Sequence, residues 1–226
     1  MNAGKLYVVA TPIGHLGDFS LRAAETLKQV ALVAAEDTRT ARILLNRYGI
    51  HTPLESFHDH SGEHQLNRLL DLLGGGASVA LISENGTPLI SDPGFPLVRR
   101  AVEKGIPVTV IPGPSAVIAA LVVSGFPCER FIFEGFFPVK SGERRRRLAA
   151  LQEEERTVIY FESPYRVMKM LTDAEAVLPE REFCVVKELT KKFEEVFRGR
   201  PAELKEVLAK RSIKGEYTIV IKGKRD

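Results

Sequence analysis

Four short runs rich in apolar and β-branched residues, Leu6 to Ala10, Leu32 to Ala35, Val79 to Ser83 and Pro107 to Ile111, alternate with amphipathic stretches in the first half of the chain. Strands separated by helices need crossover connections, so the sheet that collects them is mainly parallel and covered on both faces. Ser20 opens one predicted helix. Asp92 is the candidate opener of another, whose apolar positions Leu97, Val98, Ala101 and Val102 recur at helical spacing before a stop at Gly105. The pattern changes near Ser124-Gly125-Phe126-Pro127. Beyond it come longer helices and strand-like runs at Phe131 to Glu134, Thr157 to Phe161, Phe183 to Val186, Glu194 to Arg198 and Tyr217 to Ile221. The expectation is an α/β chain of two domains: residues 1–126 around a mainly parallel sheet, and residues 127–226 around a mixed one.

A length of 226 residues, 44% hydrophobic and 27% charged, can bury one large core or two small ones. Apolar stretches such as Val117 to Val123 fall far short of the roughly 20 residues that cross a bilayer. Met1-Asn2-Ala3-Gly4-Lys5 runs directly into a strand-like segment, so neither secretion nor membrane insertion is expected. Cys128 and Cys184 stand far apart without metal-ligand spacing, which points away from a disulfide framework or zinc site and toward a reducing cytoplasm. The formal charge of +3 is unevenly spread. From Lys140 onward 21 Lys and Arg face 16 Asp and Glu, whereas Met1 to Val139 carries 11 against 13. The basic excess of the second half suits a polyanionic partner, and equally a solvated surface.

Ligands of an open parallel sheet bind beyond the carboxyl ends of its strands, where loops converge and helix N-termini present free N–H groups. Three Gly- and Pro-rich segments follow strands in this chain: residues 11–18 (TPIGHLGD), 84–94 (ENGTPLISDPG) and 112–116 (PGPSA). Each by itself is compatible with a simple turn. Together they could build a preformed small-molecule pocket, because glycine permits close backbone approach and proline fixes loop shape. Neither GxxxxGK[ST] nor a GxGxxG after the first strand is present, which disfavours a phosphate cradle.

The ordered set Ala10-Thr11-Pro12-Ile13-Gly14, Ala35-Glu36-Asp37-Thr38-Arg39, residues 86–94 and Pro112-Gly113-Pro114-Ser115-Ala116 resembles the ribosomal RNA methylase branch of the tetrapyrrole-methylase superfamily. The likeness continues through Glu162-Ser163-Pro164-Tyr165-Arg166, Glu188-Leu189-Thr190-Lys191 and Lys214-Gly215-Glu216, nearly the whole chain. This sequence departs from the branch at Glu84-Asn85, where Asp-Ala is usual, at His15 for Asn, and at Tyr165 for His. The resemblance implies two α/β domains with S-adenosyl-L-methionine in the cleft between them, and no metal. It implies cofactor contacts at Pro12, Ile13, Gly86, Thr87, Pro88, Ile90, Ser115, Ala116, Phe161 and Glu162, largely through backbone groups. It also implies 2'-O-methylation of a cytidine ribose in the decoding region of small-subunit ribosomal RNA, free or in the assembled subunit, by a cytoplasmic homodimer.

A ribose hydroxyl is a poor nucleophile, so a base or cation that favours its alkoxide character belongs near the transferred methyl. Glu36, Asp37 and Arg39 follow the second strand and are catalytic candidates, as is Glu188. For Asp37 the alternative is a helix N-cap, with Thr38 as the other possible cap. For Glu188 it is an ion pair with Lys187 or Arg166. Arg39, His58, Arg144, Arg145, Arg166 and Lys191 are candidate RNA contacts. The run Arg144 to Arg147 must spread around its helix, so part of it faces solvent or core. His58 and the nearby His60 follow a short strand-like run, Leu54 to Phe57, and are equally compatible with a base, an RNA contact or a solvated loop. Two rivals remain open: a tetrapyrrole methylase of the same fold, and a noncatalytic RNA-binding module, which leaves the three ordered loops unexplained.

Overall fold

The computed structural model describes residues 4–58 and 61–224. The chain divides into two compact units, Met1–Ser115 and Ala116–Asp226. In the first, β1 (Leu6–Val9), β2 (Leu32–Ala35), β3 (Leu54–Ser56), β4 (Val79–Ile82) and β5 (Val108–Ile111) form one sheet in the order β3-β2-β4-β1-β5, every pair parallel. β2 and β4 are buried at every residue, which is why they read as unbroken apolar runs.

Successive side chains go to opposite faces. Val33, Ala35, Ala80 and Ile82 pack with Leu27 of α1 (Leu21–Gln29) and with Leu44 and Leu45 of α2 (Thr38–Arg47). Leu32, Ala34, Val79 and Leu81 pack with Leu66 and Leu69 of α3 (Glu63–Gly74) and Leu97 of α4 (Phe95–Glu103). The chain therefore leaves neighbouring β1 and β4 toward opposite faces, the arrangement that opens a crevice beyond their carboxyl ends.

Ser20 caps α1 as expected, accepting from the Ala23 N–H at 3.0 Å. Asp92 does not open α4. The N-cap is Gly94, whose carbonyl accepts from the Val98 N–H at 3.1 Å; its φ of 124° and the 2.5 Å that would separate a β-carbon from Leu81 Cδ2 keep the position to glycine. Gly105, at φ 68°, follows the last turn, and its N–H bonds the Val102 carbonyl at 3.0 Å.

The second unit carries β6 (Phe131–Phe136), β7 (Thr157–Glu162), β8 (Phe183–Lys187), β9 (Glu195–Gly199) and β10 (Tyr217–Ile221) in the order β6-β7-β10-β8-β9. Only β6 and β7 pair in parallel, so the sheet is mixed. α5 (Ala116–Ser124) covers one face through Val117, Ala120 and Leu121 against Ile159, Cys184, Val186 and Val220. The pattern change read near Pro127 thus lies one helix beyond the division between units. α6 (Ser141–Ala149), α7 (Val167–Val177) and α8 (Pro201–Ala209) cover the other face.

Asp173 of α7 fastens α6 to this layer. It is 3% exposed and accepts from Arg144 Nε at 2.8 Å, Arg145 Nε at 2.7 Å and Ser141 Oγ at 2.8 Å. Burial alone would raise its pKa, but bonds from Arg145, Ser141 and Arg144 outweigh that and hold it below the usual carboxylate value. A depressed folded pKa stabilises above the unfolded value, so this contribution is complete at neutral pH and lost as pH falls below about 4. Asp173→Asn leaves the Arg144 charge buried beside a neutral amide, and a loss of about 3–5 kcal/mol is expected at pH 7. Urea denaturation at pH 7 and in acid checks both points: the gap between the two proteins should narrow as pH falls.

Candidate functional site

The strand order puts the ends of β4, β1 and β5 side by side, and the three Gly/Pro loops meet there. Thr11 ties the first to the second: its N–H bonds the Gly86 carbonyl at 2.8 Å, and its hydroxyl, 1% exposed, donates to the Ser83 carbonyl at 3.2 Å. Thr87 ties the second to the third through a 3.3 Å bond from Oγ1 to the Pro114 carbonyl. Gly86 stands at φ 85°, where a side chain is strained, and a β-carbon there would lie 3.1 Å from Ile13 Cγ2, close enough that the isoleucine would have to yield by a few tenths of an ångström. Gly113 packs as closely, a β-carbon there falling 3.0 Å from Ala10 Cβ.

Pro12, Ile13, Gly86 and Pro88 are buried, Thr87 and Ser115 half-buried, and Ile90 exposed. Leu89 and Ser91 stand at φ 74° and 63°, left-handed conformations that cost non-glycine residues about 1–3 kcal/mol each and recur at ligand clamps. Pro12, Pro88 and Pro114, with Gly86, Thr87, Ser115 and Ile13, bring mainly backbone and uncharged side chains to this corner of the sheet. It suits a small molecule gripped through main-chain groups.

Beyond β2 and β4 lies a charged edge. Asp37 is the N-cap of α2, accepting from the Arg39 N–H at 2.7 Å, and it also clamps the Arg39 guanidinium at 2.6 Å. These bonds, the side-chain one first, lower the Asp37 pKa to about 2. Arg39 remains 90% exposed despite the clamp and lies within the field of Glu84, which accepts from Thr40 Oγ1 at 3.3 Å. Glu36 is half-buried beside them. His58 is exposed past β3, its N–H donating to Ser61 Oγ at 2.9 Å; His60 lies outside the described residues. No group of three or more His, Cys, Asp or Glu able to hold a metal occurs among the described residues.

In the second unit Glu162 is buried at the end of β7. Burial raises its pKa against the opposing pull of the Ser163 N–H and Arg166. Oε1 takes both the Ser163 N–H at 2.7 Å and Arg166 at 2.8 Å, while Oε2 has no hydrogen-bond partner among the described residues. Phe161 lies edge-on to Phe133 and Phe136. Glu188 pairs with neither Lys187 nor Arg166. It bonds Lys191 at 3.3 Å and the Glu216 N–H at 2.9 Å, because Lys187 is taken by Glu195 at 2.9 Å and Arg166 by Glu162. Lys191 is therefore held between two carboxylates, Glu188 and Glu216.

Arg144 differs most from the RNA-contact expectation. It is 2% exposed, and Asp173 and the carbonyls of Pro138 and Val139 occupy its guanidinium. Arg145, Arg146 and Arg147 are exposed, with Arg145 on Asp173 and Arg147 on Glu134. Sequence reasoning does not single out Thr11 or Glu216 as site residues, although both stand in the motifs that carry the resemblance. Their partners lie 75 and 28 positions away in sequence and leave no local mark.

Gly86→Ala should cost roughly 1–2 kcal/mol from the left-handed backbone alone, and more from the Ile13 contact. Gly49→Ala has the same backbone penalty, at φ 60°, with nothing within 4 Å of the new methyl. Thermal unfolding of the two variants should show the larger loss at Gly86.

Residues 5–205 match the family described as Tetrapyrrole (Corrin/Porphyrin) Methylases. A Thermotoga maritima protein named Ribosomal RNA small subunit methyltransferase I is 44% identical over 221 residues, covering 98% of this chain and 99% of its own. A Pseudomonas aeruginosa protein of that name is 49% identical over 226 residues, covering 99% and 80%. Among solved structures, uroporphyrin-III-C-methyltransferase from Thermus thermophilus superposes with a TM-score of 0.68 at 19% identity over 97% of this chain and 94% of its own. Diphthine synthase superposes at 0.73 and 14% over 97% and 90%, so these two speak for the fold alone. With near-half identity along almost its whole length, the chain belongs to the tetrapyrrole methylase family, in the group named ribosomal RNA small subunit methyltransferase I.

Proposed function

We propose that this protein transfers a methyl group from S-adenosyl-L-methionine to the ribose 2'-oxygen of a cytidine in the decoding region of small-subunit ribosomal RNA, as a cytoplasmic homodimer. The observation that carries the reading is the near-full-length identity to relatives named as small-subunit ribosomal RNA methyltransferases. The likeness to tetrapyrrole enzymes is far weaker in sequence and extends to fold only.

The loop corner fits the cofactor. The joined loops, with Gly86 against Ile13 and Thr87 bonded to Pro114, can hold a molecule that carries a carboxylate but no phosphate through main-chain groups. Pro12, Pro88, Ile90 and Ser115 are the further proposed cofactor contacts of the first unit, and Ala116, Phe161 and Glu162 are those proposed, from the resemblance alone, for the second. When bound, the cofactor supplies an electrophilic methyl on a sulfonium. The protein's part is to position the ribose oxygen in line and to stabilise its developing charge. Asp37, ionised at neutral pH and occupied by Arg39, is a weak proton acceptor; its role is to aim the exposed guanidinium of Arg39. Glu36 stays a proposed catalytic residue on that edge, and Glu188 orients Lys191. Arg39, His58, Arg145, Arg166 and Lys191 are the proposed RNA contacts, with Arg146 and Arg147 in place of the buried Arg144.

Small subunits from cells lacking this protein, incubated with it and the cofactor, should gain one methyl on a nucleotide whose 3' phosphodiester then resists alkali. A methyl on the base, with the linkage still cleaved, overturns the assignment. Cofactor binding should be measurable by calorimetry without added metal. Replacing Arg146 and Arg147 together with Ala should flatten the salt dependence of RNA binding by a slope of roughly 0.7 for each phosphate that the protein no longer neutralises, with cofactor affinity unchanged.

A further inference from the structure

Across the second sheet, strand register lines up Glu162 of β7, Tyr217 of β10, Lys187 of β8 and Glu195 of β9 in one row. That row marks one end of the sheet. Tyr165 lies three residues past the end of β7, and Phe193 two residues before the start of β9. They are the two most exposed aromatic side chains among the described residues, at 83% and 67%. Rings left in water forfeit their main source of apolar stabilisation, and each of these two stands next in sequence to a cation, Arg166 or Lys192.

The setting of Phe193 is specific. Lys192 places its ammonium 5.5 Å from the ring centroid and makes no ion pair among the described residues. The carboxylates of the same loops are turned to internal use: Glu188 and Glu216 hold Lys191, and Glu194 accepts from the Thr190 N–H at 2.5 Å. The loop backbone is strained and fixed. Glu188 and Thr190 sit at φ 52° and 63°, and Gly215, at φ 120°, is required because a β-carbon there would lie 2.6 Å from Glu188 Cγ. The internal carboxylates thus hold a loop whose tip carries an aromatic ring and, over one face of it, an ammonium with no carboxylate partner among the described residues.

We propose that Tyr165 and Phe193 are stacking platforms for unstacked bases of single-stranded RNA, with Lys192 contacting a neighbouring phosphate. The proposal rests on the ribosomal RNA reading above and names how that substrate is gripped. Every base presents a π-face, so aromatic rings interleaved with lysines take single strands with little regard to sequence. The strands from which their loops depart, β7 and β9, are three spacings apart, about 14 Å, so the proposal assigns the two rings to different bases.

The test uses the full chain with Phe193→Ala, Tyr165→Ala and Phe193→Trp. Affinity for a single-stranded oligoribonucleotide, cofactor affinity, Tm and solution mass are measured for each. Each Ala variant should bind RNA roughly tenfold more weakly, Phe193→Trp should retain binding, and cofactor affinity and Tm should hold. Ala variants that bind RNA as tightly as a fully active parent protein overturn the platform and leave the methyltransferase reading intact. A drop in solution mass with RNA affinity unchanged assigns the rings to a protein interface and also overturns it. A parent protein that neither binds RNA nor methylates small subunits removes the reading itself, and the platform with it.

Discussion

The candidate site depends on the junction made by Thr11. β1 lies between β4 and β5, so whatever follows it must pass between the loops of its neighbours. Thr11 meets that constraint with a main-chain bond to Gly86 and a buried hydroxyl shared among carbonyls of the β4 loop. Those carbonyls would otherwise be costly to bury. With the first two loops joined there, Gly86 presses on Ile13 and Pro114, and Thr87 bonds the third loop. The left-handed backbone at Leu89 and Ser91 is tolerable only where surrounding packing over-determines it.

Charged groups serve two distinct ends. Arg144 and Asp173 exclude water from each other and fasten helices, so their ion pair is architectural. Arg39 and Asp37 are equally close but stand in solvent, where the pairing contributes little stability and instead fixes the direction of one cation. The Glu188, Lys191 and Glu216 cluster is intermediate. It joins the loop after β8 to the loop before β10 and sets the backbone from which Lys192 and Phe193 project.

Much of the architecture was legible in the chain itself, because strands in a doubly covered parallel sheet must be continuously apolar and helices must repeat at 3.6 residues. The ten strand runs, the Ser20 cap and the stop at Gly105 follow from local chemistry. Asp92 has capping chemistry, yet the helix starts two residues later at Gly94, a position that the approach of Leu81 keeps to glycine. Of four consecutive arginines, sequence can say that they spread around a helix, but not which one turns inward.

What the sequence by itself determined was the class of fold, the three loops and their order, since glycine, proline and apolar periodicity act over a few residues. The tertiary structure alone decided that those loops touch, that Arg144 is buried while Arg39 is exposed, and that Glu188 pairs with Lys191 rather than Lys187 or Arg166. These outcomes rest on strand order and register, which bring together groups up to 75 positions apart and on which no local propensity bears.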